Sequence, residues 1–422
     1  MRIALICIDS RGGTQPYLAL GIGLKAAGHD VLVIAPENFE ALVTRAGLAF
    51  LGVRGDLMAL LLDPKQAGVA EGGFWRSHVF AMKLLRSFLD EWMPVCHEAC
   101  DGYEVLLGGF GGSLVGESVG EKLGIPFVQA HVQPWSPTRA FAGLLTPGFL
   151  GNRVAAFNIL THHATQQVFW QPVRSAINAA RKKHLSLPAV SFFGNIGKAR
   201  KPRDLILYGY SEQVIPTPPD MPKQAHVTGY WFADTPSTWQ PPADLIQFLR
   251  SGEVPIAVGF GSMSSKDAAE TTRIILSAVK QVGGRAILLS GWGGLSDSNI
   301  PENVYCTDAV PHDWLFPQVS LSVHHGGAGT TGATLRAGIP AVIVPFAADQ
   351  PFWGRVVDSL GLGYCRTSRR RLTAGKLADQ ISTALSNQTM RDKAIDVGQC
   401  VRQERGVDKA VQLLEQHCAD WN

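Results

Sequence analysis

Short apolar runs alternate with amphipathic stretches along almost the whole chain. In the first half, residues 3–8, 31–35, 105–107, 126–130 and 205–208 are apolar runs of strand length. Residues 17–27, closed by Gly28, and 37–46, closed by Gly47, repeat apolar positions at helical spacing. Longer helical patterns cover 81–100 and 153–184. A second series places strands at 256–260, 286–290, 304–306, 321–324 and 341–344, with helices between them, including 268–282. Strands alternating with helices predict the α/β class with doubly wound parallel sheets. Seven prolines fall between Ile215 and Pro242 and mark a linker. The expected organisation is therefore two Rossmann-like domains, 1–215 and 243–400, facing a cleft across a Pro-rich linker at 216–242. The remainder, 401–422, is expected to form a C-terminal helix that packs back on the first domain. Ligands of such sheets bind at the carboxyl ends of the strands.

Composition narrows the function. A chain of 422 residues exceeds one ordinary core. Its apolar content is 46% and its charged content 17%, the latter below the roughly 25% of average proteins. The net charge of +3 comes with no long basic run beyond Arg369–Arg371, which gives no case for nucleic-acid binding. The seven cysteines are scattered without a CxxC, and Cys96 and Cys100 at helical spacing read as buried thiols. The expectation is a reduced, cytoplasmic protein. The first residues run straight into a strand without a signal-peptide core, and no uninterrupted apolar segment reaches the ~18 residues of a membrane helix. The apolar stretch 141–150 is broken by Gly and Pro, so it reads as a core or pocket-lining loop. Loose contact with a membrane surface stays open.

The most informative stretch is 319–354, VSLSVHHGGAGTTGATLRAGIPAVIVPFAADQPFWG. An apolar strand at 319–323 leads into His324-His325 and a glycine-rich turn through Thr330, and the turn runs into a helix at 331–337. Glycines let a ligand approach the backbone, free N–H groups point outward, and the helix dipole favours negative charge. A second strand then ends in Asp349-Gln350, a carboxylate and an amide suited to sugar hydroxyls. A phosphate cradle and a hydroxyl clamp in one strand–helix–strand unit suggest a nucleotide-sugar site.

These residues resemble the two-domain inverting glycosyltransferases that use nucleotide sugars, the GT-B family 1 UDP-glycosyltransferases, and most closely their sterol 3-beta-glucosyltransferase-like branch. The resemblance rests on PHDWLFP (311–317), HHGGAGTTGATLRAG (324–338) and Pro345-Phe346 followed by DQPFWG (349–354). It also includes GFGSM (259–263), SGWGG (290–294), Ser10-Arg11-Gly12 and QPYLALG (15–21). It implies a GT-B architecture and a metal-independent transfer. A hexose, glucose from UDP-glucose as co-substrate, would pass to a hydroxyl of a lipophilic acceptor with inversion. No separate cofactor is implied.

Residue by residue, the resemblance puts His325 on the diphosphate. The backbone at Ala328, Gly329 and Thr330 and the Thr330 hydroxyl complete the cradle, with Ser262 as a further donor. His324 points to the opposite strand face and reads as packing. Plant relatives stack a tryptophan on uracil where this chain has Ala309, which leaves Val310 and Trp292 as base contacts and His312 near the nucleotide. Asp349 and Gln350 match the sugar-hydroxyl pair. Phe74, Trp75, Trp135, Phe141 and Phe149 are candidates to line an acceptor pocket for a sterol, terpenoid, flavonoid or polyketide.

The proton is the departure. The family's first loop usually carries an acid or histidine directly after the position of Gly12; here stand Gly13 and Thr14, neither able to accept a proton at neutral pH. Asp9, in the same loop, is the first substitute, and His131, read as a loop residue after 125–130, the second. Alternatives remain: a dTDP-deoxysugar transferase of the antibiotic type, a non-catalytic binder of nucleotide sugars or lipophiles, and a nucleotide-sugar 2-epimerase, against which the sterol-like motifs argue. An NAD dehydrogenase is weaker still, because no GxGxxG follows the first strand.

Overall fold

The computed structural model describes every residue except 9–10, 56–73, 149–153, 200, 202–203, 237, 261–267, 290–299, 308–309, 347 and 420–422; the side chains of 11–12, 74–85 and 268–269 are likewise outside the description. The chain forms two compact units. The first comprises Met1–Tyr210, Thr217–Ala233 and Arg405–Asn422, the second Ser211–Pro216 and Asp234–Glu404.

The first unit is built on β1 (Arg2–Ile6), β2 (Asp30–Pro36), β3 (Ala49–Val53), β4 (Val105–Gly108), β5 (Phe127–His131), β6 (Ile206–Tyr208) and β7 (Ala225–Val227). They form one sheet in the order β3-β2-β1-β4-β5-β6-β7, every adjacent pair parallel. Both faces are covered, so the central strands read as unbroken apolar runs, and Ile3, Ala4, Leu5 and Ile6 are fully buried. The helices α1 (Arg11–Ala26), α2 (Glu40–Arg45), α3 (Phe74–Ala99), α4 (Phe110–Leu123) and α5 (Ala155–Ala180) connect them.

The second unit carries α6 (Ala243–Arg250), β8 (Ile256–Gly259), α7 (Ala268–Val282), β9 (Ala286–Leu289), β10 (Val304–Thr307), α8 (His312–Leu315), β11 (Ser322–His324), α9 (Ala328–Ala337), β12 (Ala341–Ile343), α10 (Gln350–Ser359), β13 (Gly363–Tyr364), α11 (Ala374–Ser386) and α12 (Gln388–Gln403). Its sheet is also parallel, in the order β10-β9-β8-β11-β12-β13. The last helix, α13 (Gly406–Ala419), belongs to the first unit. There Lys409 Nζ donates to the Val227 carbonyl at 2.8 Å, and His29 Nε2 meets Glu415 Oε1 at 3.0 Å.

Several boundaries differ from the sequence reading. The stretch 216–242 is more than a linker: residues 217–233 are part of the first unit and supply β7, a three-residue edge strand that pairs with β6. An edge strand so short carries no apolar run that could stand out among prolines. α1 begins six residues before Tyr17 and includes Pro16. As the sixth residue of the helix, Pro16 gives up one helical N–H bond, which is why the pattern reads as starting after it. β3 and β13 carried too little alternation to be expected. His131 is the last residue of β5, not a loop residue. Among the described residues, no helix is long and apolar enough to cross a membrane.

α4 lies against the sheet through glycines. A Cβ on Gly112 would stand 2.1 Å from the Ile6 carbonyl oxygen, a backbone atom that cannot step aside. Alanine otherwise favours a helix over glycine by about 1 kcal/mol. Gly112→Ala should nevertheless destabilise the protein by about 1–3 kcal/mol, because overpacking forces the helix off the strand. Urea unfolding reads this directly; a neutral or stabilising substitution would mean that the contact is not so close.

Candidate active site

In the second sheet the strand order reverses between β8 and β11, so the chain leaves their carboxyl ends in opposite directions and opens a crevice there. The sequence at that point is the histidine–glycine turn. β11 ends at His324, and α9 starts at Ala328 with Gly327 as its N-cap, which makes no side-chain capping hydrogen bond. The Thr331 N–H returns to the Gly327 carbonyl at 2.9 Å, as the helical pattern requires. The first helical donors, the N–H groups of Ala328, Gly329 and Thr330, precede that bond and have no carbonyl one turn back within the helix. Gly329 has open space where a Cβ would stand. This is the local geometry of an anion site.

Two glycines shape the turn. Gly326 sits at φ +89°, which a side chain adopts only with strain. A Cβ on Gly327 would lie 2.6 Å from His325 Nε2, so the imidazole folds directly over the N-cap of α9. The other nitrogen, His325 Nδ1, is buried with no hydrogen-bond partner among the described residues. Burial, and then the charge of His312, lower the His325 pKa to about 4. It is therefore neutral at pH 7, with one nitrogen able to donate and one to accept. His324 is buried, and the same causes push its pKa well below the ordinary value, its neighbour His325 adding to the effect. Its Nδ1 accepts the Gly326 N–H at 3.1 Å, which fixes the proton on Nε2 and braces the turn from beneath. His312 opens α8 and stacks on Phe316, ring centroids 4.5 Å apart. Val310 is packed into the core beneath that helix with Leu315 and Phe316.

The loop after β12 holds the other expected pair. Asp349 caps α10 and is half-exposed; its Oδ2 accepts from Trp353 Nε1 at 3.0 Å. Gln350 is buried, and its Oε1 accepts the Phe346 N–H at 2.8 Å, so its amide oxygen braces the loop. Ala348, at φ +55°, is a strained non-glycine residue directly before Asp349. Trp353, fully buried, positions the Asp349 carboxylate, a role the sequence reading did not assign. Its spacing of four residues from Asp349 along a helix was the available signal.

In the first unit the strand order reverses between β1 and β4. Gly13 falls in the first turn of α1, and Thr14 is buried with its hydroxyl 3.5 Å from the Cys7 carbonyl. Tyr17 donates its hydroxyl to the Ala130 carbonyl. His131 is buried at the end of β5, beside Trp135 and Tyr208; burial lowers its pKa to about 3. Its Nε2 lies 3.2 Å from Gln129 Oε1, and its Nδ1 has no partner among the described residues. Trp135 is buried against Phe110 and Phe169. Phe141 lines a narrow crevice with Pro134, Pro137, Tyr208, Pro218 and Met221. Asp9, Ser10, Ser262, Trp292 and Phe149 lie outside the described residues, as do the side chains of Arg11, Phe74 and Trp75. No group of three or more His, Cys, Asp or Glu among the described residues is arranged to hold a metal ion.

Comparison with known proteins agrees with this layout. Residues 257–407 match the family described as Erythromycin biosynthesis protein CIII-like, C-terminal domain. Over 98% of its length the chain is 35% identical to a sterol 3-beta-glucosyltransferase of Candida albicans and 34% identical to one of Cryptococcus neoformans. It spans 27% of the length of each of these relatives. Among solved structures it resembles the glycosyltransferase of kitacinnamycin, with TM-score 0.68 and 18% identity over 99% of both chains. It also resembles the spinosyn rhamnosyltransferase SpnG, with TM-score 0.65 and 19% identity over 98% of this chain and 100% of that one. The fold is the GT-B fold of these solved glycosyltransferases. By sequence the chain is a homologue of those sterol 3-beta-glucosyltransferases, matched over 27% of their length.

The buried histidines set a pH dependence. His131, His162, His324 and His325 all have pKa values lowered chiefly by burial, to about 3 for His131 and about 4 for His162 and His325. The unfolded chain takes up protons near pH 6.5 and the folded chain does not, so stability is lost as pH falls from about 6.5 toward 4. The slope is about 1.4 kcal/mol per pH unit for each such histidine. Thermal unfolding midpoints should already fall between pH 6.5 and 5, above the carboxylate range; a flat profile there would contradict their burial as neutral groups.

Proposed function

We propose that the protein moves a hexose, glucose carried on UDP, to a hydroxyl of a lipophilic acceptor such as a sterol, terpenoid, flavonoid or polyketide. The observation that carries this reading is the glycine-capped N-terminus of α9 with the imidazole of His325 folded over its cap. Likeness to sterol 3-beta-glucosyltransferases over nearly the whole chain supports the substrate class.

Transfer is a single displacement. The acceptor oxygen forms a bond to the anomeric carbon from the face opposite the diphosphate, and the bond from that carbon to the phosphate oxygen breaks. The anomeric centre inverts, and the electron pair leaves on UDP. Charge growing on the diphosphate is met by the N–H groups at Ala328, Gly329 and Thr330, by the Thr330 hydroxyl and by a hydrogen bond from His325. A helix N-terminus stabilises a nearby anion by about 0.3–2 kcal/mol. This set takes the place a divalent metal holds in other transferases, so the reaction is metal-independent and needs no cofactor beyond the nucleotide sugar. Ser262 adds a donor to the phosphates, and Val310, Trp292 and His312 hold the nucleoside. Asp349, steadied by Trp353, receives sugar hydroxyls, with Gln350 bracing its loop. Phe74, Trp75, Trp135, Phe141 and Phe149 serve the acceptor. The acceptor's proton goes to Asp9, with His131 as the second choice, since Gly13 and the committed hydroxyl of Thr14 cannot take it. The seven cysteines form no disulfide, which fits a cytoplasmic setting.

The decisive assay follows UDP release from UDP-glucose in the presence of a sterol and a panel of lipophilic alcohols and phenols, with dTDP-sugars as competing donors. Acceptor-dependent UDP release without added metal supports the reading. UDP binding with no release would mark a binder rather than a transferase. Asp9→Asn should lower turnover by about 10²–10⁴-fold, the usual cost of a lost base, while UDP affinity is kept. If Asp9→Asn and His131→Ala both turn over at the wild-type rate, neither residue is the base.

A further inference from the structure

The first unit carries a surface feature that sugar transfer does not use. Between Lys122 and Arg203 lie eleven of the chain's 38 lysines and arginines and none of its 35 acidic residues. The chain as a whole is only +3, so the segment is richer in positive charge than the rest, although Arg181 is buried against Glu121 and Lys183 is paired with Asp90. The same segment exposes Phe192 at 55% and Phe193 at 64%. A single exposed apolar residue is ordinary, but two adjacent phenylalanines at a loop tip are not.

The loop is held, not loose. Trp170 Nε1 and Gln171 Nε2 both donate to the Phe192 carbonyl, at 2.9 and 2.8 Å, and Gln167 Nε2 donates to the Phe193 carbonyl at 3.1 Å. These three donors come from α5. With the loop backbone tied down to the helix, the two rings project, edge to face with centroids 5.4 Å apart. The apolar surface continues along α5. Leu160, Ala164 and Val168 recur every four residues on one stripe that leads to Gln171, and Leu160 and Val168 are 61% and 59% exposed. Cationic groups sit at the rings: the Arg174 guanidinium lies 5.0 Å from the Phe192 ring centroid, and Lys198 Nζ is 3.0 Å from the Phe193 carbonyl oxygen. Glu117, a carboxylate from outside the segment, accepts from the side chain of half-buried Asn195 in this loop at 2.7 Å.

We infer that Phe192, Phe193 and the exposed stripe of α5 form a docking surface for an anionic lipid bilayer. Aromatic rings favour the boundary between headgroups and acyl chains, and lysine and arginine around them favour a negatively charged leaflet. A protein partner with an apolar groove would satisfy the rings alone. The cationic Arg174 and Lys198 beside the rings favour a negatively charged surface instead. The inference stands apart from the transfer reading, because it predicts binding whether or not the protein is a catalyst.

The test is sedimentation of the protein with phosphatidylcholine vesicles, with and without phosphatidylserine, beside sedimentation velocity of the protein alone. Wild type should bind the anionic vesicles, and about tenfold less to pure phosphatidylcholine or in high salt. The double variant Phe192→Ser, Phe193→Ser should lose about tenfold or more of the anionic binding while its melting temperature is kept, since the loop's hydrogen bonds are made by backbone carbonyls. Val168→Ser should lose less. Three results would overturn the inference: equal binding by wild type and the double variant, no binding of wild type to either vesicle, or a wild-type dimer that the double variant abolishes without any vesicle binding.

Discussion

The site depends on one constraint: a strand paired on both sides must hand the chain to a helix whose first donors are left unspent. β11 is locked between β8 and β12, so His324 cannot move, and the turn after it has only three residues in which to reverse direction. Gly326 supplies the left-handed backbone, and Gly327 leaves room for His325 to fold over the helix start. A side chain at the cap would meet the imidazole and could also satisfy the helix donors from within. Without one, the end of α9 keeps its partial positive charge for something brought from outside.

The histidines follow from the same packing. Burial keeps His324 and His325 neutral, so the turn does not offer a full positive charge to an anion. It offers oriented dipoles instead, which need no rearrangement when charge develops on a leaving group. His312 adds to this, because its charge opposes protonation of both neighbours. The loop after β12 uses a comparable device: Trp353 and the Phe346 N–H hold Asp349 and Gln350, and Ala348 carries the strain. In the first unit the equivalent strand end shows the opposite economy. Thr14 turns its hydroxyl to the Cys7 carbonyl and Tyr17 donates to that of Ala130, so both hydroxyls are committed to structure beside Gly13.

Much of this was legible in the residue order because it is local. Apolar runs of strand length, their alternation with helices and the glycine turn are short-range signals, and they located most of both sheets and the end of α9. Its start lies at Ala328 and not at Thr331, because Ala328, Gly329 and Thr330 at the end of the turn are already helical. What stayed hidden is long-range. β7 is a strand only because β6 offers it an edge, and α13 returns to the first unit through contacts such as Gly23 against Val407 that no local pattern announces. His131 reads as a loop residue because a polar side chain follows an apolar run; it is instead the buried end of β5. Gln350 shows the same limit at the site. Its type and place suggested a sugar contact, but only the fold reveals that its oxygen is committed to the Phe346 N–H.

His325 is the group proposed to meet the diphosphate, and one titration tests that most directly. The pKa of the His325 imidazole can be followed by NMR in the free protein and with UDP bound. In the free protein it should lie near the value set by burial, about 4. A diphosphate placed against the ring favours the charged form, so binding should raise the pKa by one unit or more and take up protons near pH 5. An imidazole that titrates alike with and without saturating UDP would contradict the placement of the diphosphate at the start of α9.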